Sequence, residues 1–234
     1  MCGRYSITKD ISELEKLVKF ICKVVDFKPR YNIAPRSKVP VLVSKNGQNV
    51  LKEMRWGLIP SWAKDETIAD KLINARAETL TEKPSFKKPF QKQRCLIPGD
   101  GYFEWQKTGQ GKIPFRFTMA DDRFFCLAGL WERWIRPQEE EELGLDDAGS
   151  SNNQIVETFT IITCEPNPMA AKIHDRMPVI LGPEHYSWWL ESKFEPEFLK
   201  MLLRPFNAEK MACSRVSSAV NDARNDGVEC LAGE

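Results

Sequence analysis

Apolar positions are spaced in two ways along this chain, and the spacing sets its predicted elements. Behind Asp10, with Glu13 three places on as in a capping box, Ile11, Leu14, Leu17, Val18 and Ile21 recur at helical intervals and predict one amphipathic helix. Almost everywhere else the period is two or the run is continuously apolar. Val39–Ser44 and Val50–Trp56 flank Asn46-Gly47 and predict a hairpin. Further strands are predicted at Arg94–Pro98, Gly101–Lys107, Ile113–Met119, Phe124–Trp134 and Ile155–Cys164. Residues 136–154 break this pattern: acidic and Gly-Ser-Asn-rich, without apolar periodicity, they predict a polar, mobile insertion between strands of similar character. Beyond it come a short helix within Pro166–Lys172, a strand at Val179–Leu181, a helix opened by Pro183 that runs through Trp188, Trp189 and Leu190, another over Glu197–Leu203, and a last strand near Ala212–Ser217. Many short strands with few helices predict an α+β fold with a mixed, mostly antiparallel, barrel-like sheet and short peripheral helices. The whole of 1–234 reads as one domain, with 136–154 as an excursion from it.

Composition narrows the class without choosing a function. A hydrophobic share of 42% with 29% charged residues is ordinary globular composition, and a net charge of +1 does not discriminate among partners. No apolar run approaches the ~20 residues of a membrane span, and charged residues interrupt the opening segment, so no signal peptide is expected. Seven cysteines lack any C-x-x-C pair, which argues against a zinc site or a disulfide framework and fits a reducing cytoplasm. Cys95, Cys126 and Cys164 lie in apolar strands and read as inert core residues.

Candidate chemistry starts at the N-terminus. Cys2 directly follows Met1, and a side chain this small is expected to allow methionine removal. Exposed, it joins an α-amine titrating near ~7.7–8.0 to a thiol near ~8.5 on the adjacent carbon. An aldehyde meeting that pair can form an imine and then close to a five-membered thiazolidine. The bland alternative is an ordinary second residue on a frayed end. With two histidines in the chain, His174, in Ile-His-Asp-Arg-Met-Pro, is the candidate proton carrier, although it could simply hydrogen-bond a backbone group; His185, after Pro183-Glu184, reads as helix packing. Glu104, among Tyr102, Phe103 and Trp105, would have a raised pKa if buried, or would point to water from a strand edge. Asn74 and Arg76 share a face if extended, offering an amide and a phosphate-binding fork; as a helix start with Asn74 as cap they would be structural. Trp56 ends a strand and reads as core, whereas Trp62 is the better exposed ring for base stacking. Arginines 4, 36, 76, 176 and 215 could converge on a basic groove.

Met-Cys-Gly-Arg, Tyr-Asn-Ile-Ala-Pro, Arg-Trp-Gly-Leu-Ile-Pro, Asn-Ala-Arg-Ala-Glu-Thr, Arg-Cys-Leu-Ile-Pro-x-x-Gly-Tyr-Phe-Glu-Trp, His-Asp-Arg-Met-Pro and Val-Ser-x-x-Val-Asn occur in that order from Cys2 to Asn221. Together they resemble the SOS-response-associated peptidase (SRAP) family. The resemblance implies a single domain that shields abasic sites in single-stranded DNA by cross-linking to them, with the residue ahead of the cysteine removed. Cys2 is then the covalent nucleophile, completed by Asn74, Glu104 and His174. Arg76 and Arg176 match backbone-binding arginines, and Arg4, Asn32 and the loop from Trp56 to Trp62 fall in DNA-facing segments. The cross-linking chemistry requires no metal or organic cofactor and needs only a monomer, and the expected location is the cytoplasm, on the nucleoid when bound to DNA. Two other classes fit Cys2 less fully: an N-terminal-nucleophile peptidase and a non-catalytic single-strand-binding module.

Overall fold

The computed structural model describes residues 2–24, 26–109, 111–137, 154–191 and 193–233. In chain order its strands are β1 (Arg4–Ile7), β2 (Ile21–Cys22), β3 (Arg30–Ile33), β4 (Lys38–Lys45), β5 (Gln48–Trp56), β6 (Asn74–Arg76), β7 (Arg94–Gly99), β8 (Gly101–Thr108), β9 (Gly111–Met119), β10 (Phe125–Ile135), β11 (Ile155–Cys164), β12 (Met177–Pro178), β13 (Ile180–Leu181) and β14 (Met211–Arg215). The helices are short: α1 (Pro84–Lys92), α2 (Tyr186–Leu190) and α3 (Pro196–Lys200), with single 3₁₀ turns between.

The expected α+β architecture is present. Strands β5, β4, β7, β10 and β11 pair in succession, and β11 returns to pair with β5 in parallel, at Thr158↔Arg55 and Phe159↔Trp56, so these five close into a small barrel. Inside it Trp56 stacks on Phe159 at 6.2 Å and meets the edge of Tyr5 at 5.4 Å. A second sheet, in the order β14-β9-β8-β1-β3, lies beside the barrel. Asp100, in the one-residue step from β7 to β8, ties this sheet together: it is buried and accepts from Ser6 Oγ at 2.7 Å, Thr8 Oγ1 at 2.7 Å and Arg116 Nη2 at 2.9 Å. The charged bonds offset the cost of burying that carboxylate.

The hairpin of β4 and β5 turns on Asn46 and Gly47 at φ 52° and 76°, the two positive values that a tight right-twisted hairpin needs. The helix expected through Ile21 is instead one 3₁₀ segment, Ile11–Lys16, capped by Asp10 on the Ser12 N–H; only Leu14 within it is buried. Ile21 leaves that face to pair in parallel with Val50. Helix α1 has no counterpart in the predicted elements, because Pro89 lies inside it and reads as a breaker. Burial of Phe86, Pro89 and Phe90 holds this single short helix together. Most of the polar insertion, residues 138–153, falls outside the described residues; its flanks are neighbours, since β10 and β11 pair from Gly129↔Ile161 to Ile135↔Ile155.

Candidate active site

Four elements meet where β1 begins. β1 runs antiparallel to β8 with Arg4 opposite Phe103, which carries the residues before Arg4 toward Glu104 and Trp105. β6 pairs in parallel with β11, Asn74 opposite Ile161, and from there Asn74 Nδ2 donates to the Cys2 carbonyl at 2.9 Å. The extended reading of Asn74-Ala75-Arg76 is therefore the observed one, with a 3₁₀ turn starting only at Ala77. Asn74 Oδ1 is buried without a hydrogen-bond partner among the described residues. His174 comes from the turn before β12. Its Nε2 lies 3.8 Å from Glu104 Oε2, while its Nδ1 faces the Arg176 N–H and a carboxylate oxygen of Asp175, each at 3.0 Å. An Nδ1 that accepts from Arg176 leaves the proton of the neutral ring on Nε2, directed at Glu104.

Glu104 and His174 border an open cleft of about 620 Å³, which Arg4, Trp105, Lys107 and Lys112 also line with parts of Gly3, Pro35 and Asn221. Burial raises the Glu104 carboxyl to about 7, since leaving water disfavours the charged form. Burial likewise pushes the His174 imidazole below its ordinary value. Cys2 is fully buried, and burial, then the Glu104 charge, drives its thiol far above the ordinary range. Its Sγ lies 3.9 Å from the Arg4 carbonyl oxygen. The site thus offers a carboxyl poised near neutrality, a neutral imidazole and a protonated thiol. Among the described residues no three His, Cys, Asp or Glu side chains group as a metal site would require.

A family model for the SOS response associated peptidase (SRAP) matches residues 1–223. The chain belongs to this family. Among SRAP relatives, the abasic site processing protein YoaM of Bacillus subtilis is 41% identical, covering 100% of this chain and 99% of its own. The abasic site processing protein HMCES of Gallus gallus is 34% identical over 88% of this chain and 66% of that relative. The crystal structure of a Bacteroides thetaiotaomicron protein superposes with a TM-score of 0.85 at 28% identity, and the match covers both chains in full.

On this SRAP framework the expected site residues separate into groups. Asn74 contacts Cys2, His174 lies beside Glu104, and the Glu104 charge acts on the Cys2 thiol. Trp62, 59% exposed on its loop, and Arg76, exposed on β6, are open to a ligand. Trp56 is not: it is wholly buried in the barrel with Nε1 bonded to the Ile73 carbonyl at 2.8 Å, so it supports the loop and cannot stack on a strand. Asn32 is also buried, its Nδ2 spent on the carbonyls of Val220, Asp222 and Asn225, so it holds the C-terminal tail and is out of reach of DNA. Arg176 is committed to Glu78, at 2.7 and 2.9 Å, and to the Thr163 carbonyl at 2.7 Å, which fixes the turn bearing His174. Arg36 likewise pairs with Asp70. Arg4 keeps its place on the cleft, donating to the Val220 carbonyl at 3.1 Å and lying 5.9 Å from the Trp105 ring centre.

The sequence reading passed over Trp105 and Asn221 as site members. Trp105 forms one wall, its Nε1 donating to Asn221 Oδ1 at 2.6 Å. Alternation along β8 separates Trp105 from Glu104, but only the position of the tail shows that Trp105 borders the same cleft.

Proposed function

We propose that this protein shields abasic sites in single-stranded DNA through a covalent thiazolidine between Cys2, freed of Met1, and the ring-opened deoxyribose. The observation that carries this reading is that Asn74 holds the Cys2 carbonyl while the charge of Glu104, which lies 3.8 Å from His174, is felt at the Cys2 thiol. The family membership and the names of the relatives agree with it.

An abasic deoxyribose rests mainly as a closed hemiacetal. Opening moves the C1′ hydroxyl proton to the ring oxygen, a transfer suited to Glu104, which is present in both protonation states at neutral pH, and to the neutral imidazole of His174. The Cys2 amine then adds to C1′; Glu104 takes the amine proton and returns it to the departing hydroxyl, giving an imine and one water. The imine alone endangers the strand, because loss of a C2′ proton would expel the 3′ phosphate. Addition of the thiol across C=N forms the S–C1′ bond, puts the proton on nitrogen and removes that electron sink. Asn74, bonded to the carbonyl of the reacting residue, orients it. Arg4 and Arg76 would meet phosphates, and Trp62 would stack on a base for about 1–3 kcal/mol. A cysteine peptidase needs the thiolate, which a lowered thiol pKa supplies. Burial acts in the opposite direction on Cys2, which favours attack by the amine.

A denaturing gel of the purified protein with a synthetic abasic single strand tests the proposal, alongside intact-mass measurement. The expected result is a heat-resistant band of protein plus DNA less one water, absent for Cys2→Ala and for chains that retain Met1. Glu104→Gln should slow its appearance by about 10²-fold or more. Full-rate cross-linking by Met1-bearing protein would refute the thiazolidine. Peptide turnover without the band would indicate a peptidase, and salt-sensitive binding without it a simple strand-binding module.

A further inference from the structure

The arginines at and behind the cleft are engaged. Arg4 is tied to the Val220 carbonyl and lies against Trp105, and Arg176, behind His174, is clamped by Glu78. Two lysines differ. Lys107 on β8 and Lys112 on β9 are both exposed, both line the cleft, and neither has a carboxylate within ion-pair distance among the described residues. They are directly opposite each other in the hairpin register, Lys107↔Lys112, with Trp105↔Pro114 next but one. Directly opposed like charges destabilise a strand pair. Two unneutralised ammonium groups in register, at the mouth of a cleft with a reactive residue beneath, form a local field that an anion would satisfy. The Lys107 charge reaches the cleft interior: burial is what chiefly lowers the His174 imidazole, and Lys107 adds to it in the same direction. Residues 105 and 107 also share a face of the strand, so one edge of the cleft presents a ring followed by a cation.

We propose that Lys107 and Lys112 form a two-ammonium clamp for a phosphodiester of the bound strand, next to the sugar that enters the cleft, with Trp105 between clamp and reaction centre. This rests on the reading of the cleft as a single-strand site and assigns its electrostatic contact. The clamp acts in binding: it holds the backbone while Glu104, His174 and Cys2 carry the chemistry. Lysine suits the task because each ammonium is a compact charge on a flexible stem, able to follow a backbone of variable conformation.

The test uses the full chain and two single strands of the same sequence, one intact and one with a central abasic site. Fluorescence anisotropy on the intact strand, over about 50 to 200 mM NaCl, gives the slope of log affinity against log salt for wild type, K107Q/K112Q and K107R/K112R. Two lost phosphate contacts should flatten the slope by about 1.4, at roughly 0.7 per contact on a single strand, so wild type loses about sevenfold more affinity across that range than the glutamine pair. On the abasic strand, the glutamine pair should raise the protein concentration for half-maximal cross-linking rate several-fold and leave the saturated rate within about twofold. The arginine pair should restore both. A glutamine pair with the wild-type slope and half-saturation overturns the clamp; so does one whose saturated rate falls at unchanged half-saturation, because the lysines would then act on the chemistry. If wild type never cross-links the abasic strand, the proposed chemistry fails, and the slope on the intact strand still decides whether the lysines bind phosphate.

Discussion

Glu104 titrates near neutrality because β8 turns it inward, where burial outweighs the charges that would keep it ionised. That has a cost for the fold. Its folded value, about 7, is raised above the 4.5 of the free side chain, so the folded state holds the proton more tightly. The associated stability is present below about 4.5 and is lost as pH rises through about 7, a change of about 3 kcal/mol at ~1.4 per unit. Glu104→Gln keeps the shape and removes the charge. Its urea midpoint should therefore exceed wild type at about pH 8 and match it near pH 4, although the same substitution should slow the proposed cross-linking; equal midpoints at both pH values would contradict a buried, raised carboxyl. The aromatic neighbours in the sequence already pointed to this environment. The strand-end position of Trp56 pointed to the core, as observed, although the motif resemblance placed it in a DNA-facing segment; Asn32 was less legible, because its motif does not distinguish a residue that touches a ligand from one that holds the segment that does.

Among the elements, the C-terminal tail does more for the cleft than its irregular sequence suggests. Asp226 accepts from the backbone N–H groups of Tyr31 and Asn32, at 2.6 and 2.8 Å, and from the Arg30 guanidinium. Asn32 returns its amide to three tail carbonyls at 3.2, 3.0 and 2.9 Å. Together they pin the segment that supplies the Val220 carbonyl to Arg4 and the Asn221 side chain to Trp105. Asn32→Ala removes three hydrogen bonds to the tail and should cost about 1–3 kcal/mol in urea denaturation, with slower cross-linking as the Trp105 wall loosens. Wild-type stability in that variant would show that the tail is held elsewhere. Strands with strong alternation, such as β8 and β11, emerge from the sequence nearly to their ends. The helix expected through Ile21 does not, because pairing with Val50 competes for the same residue, and α1 escapes notice because burial of two phenylalanines overrides its internal proline.

For the whole molecule the decisive contact is barrel closure, the parallel pairing of β5 with β11 across about a hundred intervening residues. The close packing is visible at Gly129, midway along β10, where an added Cβ would lie 2.2 Å from Ile97 Cδ1 and 2.7 Å from the Thr160 carbonyl oxygen. Gly129→Ala should therefore destabilise by about 1–3 kcal/mol through overpacking, read as a lower urea midpoint with unchanged m-value; an unaffected midpoint would mean that β10 can shift within the ring. By itself the sequence determined the strand content, the Asn46-Gly47 hairpin, the family motifs and the residue types able to do aldehyde chemistry, because local periodicity, turn conformation and side-chain chemistry belong to short stretches of chain. Tertiary structure alone decided that β5 meets β11, that Asn32 faces inward, that Asn74 reaches the Cys2 carbonyl, and that Lys107 and Lys112 have no carboxylate within ion-pair distance among the described residues. Those outcomes depend on which distant segments cover or neutralise one another, and no local pattern encodes that.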